Sequence, residues 1–587
     1  MPGIFFAVCF RMMEEQLELV SRKRWVVKEP EPASVERLIR EGNLSHLIAR
    51  VLVNRGIVEP DAAGRFLSPT LADLHDPFLL LGMEKTVTRL VSSVRSGERV
   101  CVYGDYDVDG VTSVALLLGF FRTVGLPCFY YIPRRLEEGY GLSEEGVRNV
   151  ADQGAKIIIS VDCGINSVAE AEICASMGID LIITDHHMPG STIPHAFAVI
   201  NPLQPGCPFP FKYPAGVGVA FNLMIALRSR LRDEGHFAGR NEPNLREYLD
   251  LVALGTVADI VPLVDENRIF VKYGLAELTS SRRIGVQALK EVAGVKGKVG
   301  CGAVGFRLAP RLNAAGRLED AALGVELLLC SDRQMAKAMA IELDDSNSER
   351  QAVEQAILRD ALAMVKDTPA LRRRKSIVLA SEEWHPGVIG IVASRIVDMF
   401  HRPTILIALQ DGIGRGSGRS IPNFHLHDAL NACSEHLVKF GGHKYAAGLS
   451  IEESTLEAFV ESFDEVASGL LSTSDLIPEL AVDAVLLPEE IDFALAETVD
   501  ALAPFGMGNP EPVFMLEGAR VDDFRVVKER HLKLRLFAGD RSLEAIGFNL
   551  ALGRVLPEKV TLAFSLQVND WNGRKSLQLR LKEIRAA

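Results

Sequence analysis

The chain has 587 residues, a net charge of −13, and 48% hydrophobic against 24% charged residues, an ordinary globular composition with room for three or four domains rather than a disordered chain. Its nine cysteines are odd in number and scattered, with no C-x-x-C pair, which argues against a disulfide framework or a cysteine zinc site and fits a reducing cytoplasm. No apolar run approaches the length needed to span a bilayer, so no membrane association is expected.

The first residues, "MPGIFFAVCF", have too short an apolar core for a signal peptide and no small-residue cleavage site after it. They read as an extension, with Met12 or Met13 as the native start. From about Ser34 to Gly97, periodic segments such as "VERLIREGNLSHLIARVLVNRGI" predict short helices, and residues 1–90 are taken together as an N-terminal extension and helical segment.

Residues 91–280 carry a βα rhythm. "RVCVYG" ends in Asp105, "AKIIISV" ends in Asp162 and "IDLIIT" ends in Asp185, each strand continuously apolar as in a parallel sheet covered on both faces. The carboxyl ends of parallel strands share one edge, so these acids can converge although they lie up to 80 positions apart. The helical stretch "LDLVALGTVADIVPL" adds Asp259.

Within this region "VYGDYDVDG" sets Asp105, Asp107 and Asp109 at alternate positions, and like charges that close repel unless a cation holds them. An EF-hand would need a glutamate at the twelfth position, where Leu116 stands inside an apolar helix. In "TDHHMPG" the adjacent His186 and His187 point in different directions, so one can bind metal while the other touches substrate, with Asp185 steering or ligating. Besides Asp185, five acids (Asp105, Asp107, Asp109, Asp162 and Asp259) and two histidines with mixed oxygen and nitrogen character suit Mn²⁺ or Mg²⁺ in a two-metal site, which activates water and clamps both oxygens of an in-line phosphoryl displacement.

Residues 281–370 read as a helical connector, with "DRQMAKAMAIELDDSNSERQAVEQAILRDALAMV" as one long helix or two, followed by a solvated charge run, "RRRK". A second α/β unit, 371–470, contains "SIVLAS", "TILIAL" and the glycine-rich "DGIGRGSGRS" and "FGGHKYAAGL". Its "GSGRS" reads as a flexible loop whose backbone N–H groups, with Ser417, Arg419 and Ser420, are equipped to bind a phosphate. In residues 471–587 the short alternating strands "KLRLFAG", "LEAIGF", "VTLAFSLQVN" and "KSLQLRLKEI" signal a small β-barrel. From Val521 to Ala587 thirteen Lys and Arg face eight Asp and Glu, about +5 locally, so an acidic chain can still be basic where it meets a nucleic acid.

In order and spacing, "GDYDVDG", "SVDCGI", "TDHHMPG" and "LGTVADIVPL" resemble the four motifs of the DHH phosphoesterase superfamily, and "FGGHKYAAGL" resembles the glycine-rich motif of its companion DHHA1 domain. The resemblance covers roughly Trp25 to the C-terminus and is nearest to the nuclease branch. Tyr103 stands where the pyrophosphatase branch has a histidine, four positions before the D-x-D pair. The resemblance implies two α/β lobes, DHH and DHHA1, joined by a long helix and facing a cleft, with a C-terminal OB-fold-like barrel. It implies a metal-dependent exonuclease that degrades single-stranded DNA from the 5′ end in recombination and repair, with a single-strand binding protein and a helicase as partners.

By the same resemblance, Asp107, Asp109, Asp162, His186 and Asp259 hold the metals, and Asp105 and His187 lie close to the chemistry. Arg134, Ser417 and Arg419 are implied in holding the 5′ phosphate, and Arg311, Asn313 and His443 in touching substrate. The barrel looks like an OB-fold, which binds single strands by a basic groove and base stacking. Most of its phenylalanines (Phe524, Phe537, Phe548, Phe564) fit core positions, leaving Trp571 in a turn as the base contact. The alternatives are a DHH phosphodiesterase acting on short oligonucleotides or cyclic dinucleotides, which needs only the two lobes, and a catalytically dead DNA-binding scaffold, which would have lost its ligands.

Overall fold

The computed structural model describes residues 23–134, 138–139, 141–318, 321–369, 371, 373–550, 556–571 and 574–587, with only the backbone described at 317, 318, 570, 571 and 574. They pack as two compact units, one of residues 59–348 and 501–511, the other of residues up to 58, 349–500 and 512–587. Among the described residues no helix is long and apolar enough to cross a membrane.

The first unit is built on five parallel strands: β1 (Val100–Tyr103), β2 (Cys128–Tyr131), β3 (Ile157–Val161), β4 (Asp180–Thr184) and β5 (Ala198–Ile200). Their spatial order is β2-β1-β3-β4-β5. The chain leaves β1 toward β2 on one side and returns to β3 on the other, so the order reverses at the carboxyl ends of β1 and β3, where open α/β sheets place their sites. Asp105 and Asp162 follow those two ends. β1 and β3 are buried along their whole lengths, which explains their almost wholly apolar sequence; the one polar side chain, Ser160, donates to the Cys163 carbonyl.

Helix α1 (Val108–Thr123) starts where Asp107 accepts hydrogen bonds from the Asp109 and Gly110 N–H groups at 2.8 and 3.2 Å. From Val108 to Phe121 it is largely apolar because it is largely buried, against helices α2 (Gly216–Asp233) and α3 (Leu249–Ala258) in one continuous core. The segment 501–511 is tied into this unit by a buried arginine. Arg268 donates to the carbonyls of Phe66 and Leu502 at 2.8 and 2.9 Å and lies 3.9 Å over the Phe66 ring.

One buried acid here makes stability depend on pH. Glu266, fully buried, accepts from the His75 N–H at 2.9 Å and the Asn222 amide at 3.1 Å, and burial pushes its carboxyl up to about 7. A carboxyl raised in the folded state favours folding while it is protonated, so its contribution is complete below the unfolded value of 4.5 and is lost as pH rises through about 7. Glu266→Gln keeps the neutral shape at every pH. It is expected to match the wild-type melting temperature at pH 4 and to exceed it at pH 8, by at most about 3 kcal/mol of stability. Equal thermal scans at pH 8 would refute this.

In the second unit the helix Arg333–Asp367 that leads into it is single and continuous. The sheet runs in the order 439–442, 446–452, 413–419, 404–410, 377–381, with only the last pair parallel. This corrects one expectation. The "GIGRGSGR" segment is no flexible loop: Ile413–Arg419 is a strand paired on both sides, so its backbone is committed to the ladders. Its glycines alternate because a Cβ at Gly414 or Gly416 would stand 2.6 Å from Ile407 or Leu449, whose side chains fill that face.

The C-terminal barrel has five strands, Phe514–Val527, His531–Ala538, Arg541–Gly547, Lys559–Trp571 and Arg574–Ala586, and closes by pairing the first with the fourth. It is an OB-fold barrel. Phe564 is buried, but Phe524 and Phe548 are exposed, contrary to the expectation that most of its phenylalanines are core. A strand ahead of the expected first one, Arg24–Val27, pairs in parallel with Glu479–Val482.

Candidate active site and metal centre

The carboxyl edge of the parallel sheet gathers Asp105, Asp107, Asp109, Asp162, His186, His187 and Asp259. Ligand atoms lie within 4.8 Å of one another in three sets: Asp105, Asp107 and Asp162; Asp109, His186 and Asp259; Asp162, His186 and His187. The His186 Nε2 atom stands 3.0 Å from Asp162 Oδ1, 3.6 Å from Asp259 Oδ2 and 3.9 Å from Asp109 Oδ2.

Each side chain is aimed by its local backbone. Asp162 leaves β3 at φ +61, the left-handed conformation that aspartate tolerates better than most residues. Asp109 accepts from the N–H groups of Gly216 and Val217 at 2.6 and 2.9 Å, the first turn of α2, where the helix dipole favours a negative charge. Gly110 must lack a side chain, because a Cβ there would meet the Asp105 carbonyl at 2.6 Å. That contact accounts for the glycine closing the D-x-D-x-D-G motif.

Asp185 is an orienting carboxylate. Its oxygens accept from the N–H groups of His186, His187 and Ile165, and Oδ1 sits 2.8 Å from His187 Nδ1. Burial would raise its pKa, but the bond from His187 and the nearby histidine charge hold it below the usual carboxylate value. Burial opposes charge on His187, yet Asp185, with Asp259 and Asp107 behind it, pushes that imidazole up to about 9.

The other groups behave as a site built for cations. Burial, then the neighbouring carboxylates, push Asp109 and Asp162 far above the ordinary value, and burial raises Asp259 as well. Burial pushes His186 down, to the neutral imidazole that binds metals. The His186 Nε2 and Asp259 Oδ2 atoms are buried and make no hydrogen bond among the described residues. Buried polar atoms without partners are costly, and crowded carboxylates are more so. Divalent cations satisfy both, and the mixed O and N donors fit Mn²⁺ or Mg²⁺.

The remaining sequence candidates are not all gathered here. Asn313 accepts from the Val108 N–H at 3.1 Å, so it caps α1 and holds the acid loop. Arg311 pairs with Asp344 at 2.7 Å. Arg134, exposed, follows the carboxyl end of β2 on the same sheet edge, and its N–H donates to Glu138 at 2.9 Å. Ser417, Arg419, Ser420 and His443 belong to the other unit. There Arg419 donates to Ser417 Oγ at 3.2 Å and Ser420 donates to the Phe424 carbonyl at 2.8 Å. His443 lies exposed in the turn after strand 439–442. The Trp571 side chain lies outside the described residues. The amides of Gly216 and Val217 are functional groups that the sequence reading did not anticipate; the "PAGVGVA" run at the head of an apolar helix was the available signal.

Three family models match the chain: the DHH family N-terminal domain at residues 99–256, the DHHA1 domain at 374–469 and the RecJ OB domain at 482–583. The single-stranded-DNA-specific exonuclease RecJ of Escherichia coli is 41% identical over 592 residues, covering 97% of this chain and 100% of the relative. That of Bacillus subtilis is 38% identical over 573 residues, 96% of this chain and 71% of the relative. Among solved structures, RecJ of Thermus thermophilus in complex with Mn²⁺ superposes with a TM-score of 0.82 at 34% identity, covering 96% of this chain and 80% of the other. Its complex with Mg²⁺ gives 0.76 at 32% identity, covering 96% and 78%.

Proposed function

The chain belongs to the RecJ family of single-stranded-DNA-specific exonucleases, and on that premise we propose that its acid cluster removes nucleotides stepwise from the 5′ end of single-stranded DNA. It is a metal-dependent exonuclease with the DHH, DHHA1 and OB domains of that family. The observation that carries the site assignment is the convergence of the buried Asp105, Asp109 and Asp162 with the His186 Nε2 atom, 3.0 Å from Asp162 Oδ1, at the switch point of the sheet. The relatives are named for single-stranded DNA, which favours this reading over a phosphodiesterase for short oligonucleotides or cyclic dinucleotides.

In this reading Asp107, Asp109, Asp162, His186 and Asp259 would hold two ions, Mn²⁺ or Mg²⁺. Bound divalent cations supply charge neutralisation at the phosphate and ready ionisation of a water molecule. The protein's own groups do the rest. His187, held protonated by Asp185, donates its Nε2–H to a phosphate oxygen and stabilises the charge that grows there. Asp105 shares the first ligand set with Asp107 and lies close to the chemistry, while Arg134 anchors the 5′ phosphate from the β2 edge. Ser417, Arg419, Ser420 and His443 bind the strand from the DHHA1 domain, and Trp571 stacks on a base in the barrel. A cytoplasmic setting with a single-strand binding protein and a helicase supplying substrate completes the proposal.

The test is a time course on 5′-labelled and 3′-labelled single strands, a duplex and a dinucleotide, with Mn²⁺ or EDTA. Early release of the 5′ label as mononucleotide, absent on duplex and in EDTA, is expected. Cleavage of the dinucleotide alone would move the protein to the small-substrate branch.

A further inference from the structure

Four large apolar side chains stand in solvent, three on segments that carry or support the acid cluster and one on the 501–511 segment, and the chemistry above uses none of them. Met188 follows His187, Ile260 follows Asp259, Tyr213 precedes by three residues the Gly216 amide that holds Asp109, and Met507 lies on the segment tied in by Arg268. They are 59%, 65%, 59% and 57% exposed, respectively. The segments of Tyr213, Ile260 and Met507 are knit together. Asn267 Nδ2 donates to the Tyr213 carbonyl at 2.7 Å and to the Pro262 carbonyl at 3.0 Å, and the Leu263 N–H donates to the Met507 carbonyl at 2.7 Å.

Ile260 adds a second observation. Its φ is +63, in the left-handed region where a β-branched side chain is strained and glycine or asparagine is relaxed. Neither backbone ease nor solubility favours an exposed isoleucine there, and strain of this kind gathers at functional sites. The neighbouring carboxylates repel a DNA backbone except where cations neutralise it. The part of a nucleotide that can approach this lip is therefore the flat, uncharged face of a base.

We infer that Tyr213, Ile260 and Met507, with Met188 beside His187, form an apolar lip that receives the face of the nucleobase next to the phosphate being cleaved. This deepens the exonuclease reading and rests on it. Every base has such a face, so the contact is indifferent to sequence.

The test compares wild type, Tyr213→Ala and Ile260→Gly on single-stranded DNA with and without one abasic residue near the 5′ end. Wild type is expected to slow about tenfold at the abasic step, the scale of one base stack. Each variant is expected to lose about tenfold in kcat/KM on intact DNA, chiefly through KM, and to stop distinguishing the two substrates. Ile260→Gly removes the strain, so its melting temperature in EDTA should equal or exceed wild type, which separates lost binding from lost folding. A metal-free readout runs in parallel: quenching of a terminal 2-aminopurine on binding in EDTA, reduced in Tyr213→Ala. Variants that slow equally on both substrates, or unchanged quenching in Tyr213→Ala, overturn the lip. A wild type that quenches the probe but cuts no single strand overturns the exonuclease reading instead.

Discussion

Asp162→Asn is expected to lower kcat/KM on single-stranded DNA by on the order of 10³-fold while raising the melting temperature of the metal-free protein. The two effects share one cause. Asp162 stands in two of the three ligand sets, 3.0 Å from His186 Nε2, and burial, then the carboxylates around it, push its own pKa up. Without cations a neutral amide there relieves repulsion, worth roughly 1–2 kcal/mol for one buried like-charge contact. With cations the same change removes a charged ligand, and several kcal/mol of lost transition-state stabilisation at about 1.4 kcal/mol per decade gives the loss in rate. Asparagine tolerates φ +61 as aspartate does, so backbone strain does not enter. Calorimetry in EDTA and in Mn²⁺ checks the sign: the variant should melt above wild type in the first and below it in the second. A variant less stable in both would mean that Asp162 is structural.

The acid cluster was readable because two rules converge on it. An apolar run that ends in aspartate marks the carboxyl end of a buried strand, and parallel pairing brings all such ends to one edge. Asp105, Asp162 and Asp185 needed no further information. What could not be read depends on groups without side-chain signatures or on distant chain. Asp109 is held by two backbone amides 107 and 108 positions away. The strand Ile413–Arg419 looks like a loop because glycine has little strand preference of its own; Ile407, Leu449 and Ile451 around it decide the matter. The strand Phe514–Val527 was hidden by the polar "EGARVDD" within it, and Arg24–Val27 by a partner more than 450 residues later. The sequence leaves Asp185 open between steering and ligating; in the structure its oxygens accept from three N–H groups and Oδ1 lies against His187 Nδ1.

Gly216→Ala is expected to cost about 10- to 100-fold in kcat and to destabilise the protein, while Gly218→Ala, two residues further along the same helix, leaves activity intact. An alanine at either position gains helix propensity, up to about 1 kcal/mol. The difference lies in what the added methyl meets. At Gly216 it would stand 2.8 Å from both Cβ and Oδ1 of Asp162, and a Cβ atom so near the backbone cannot rotate aside. Either Asp162 moves or the first turn of α2 does, and the second motion withdraws the N–H groups that hold Asp109. Overpacking of this kind costs about 1–3 kcal/mol, which outweighs the propensity gain. Displacing the supports of metal ligands costs one to two decades in affinity or rate. At Gly218 the methyl would meet Pro214 and Phe270 at 3.4 and 3.6 Å, ordinary contact, so propensity wins and stability holds or rises. Steady-state kinetics and metal titration on the pair separate a packed helix from a helix that carries the site. If Gly216→Ala bound Mn²⁺ and cut DNA as wild type does, the α2 amides would be dispensable and the support of Asp109 would have to come from elsewhere.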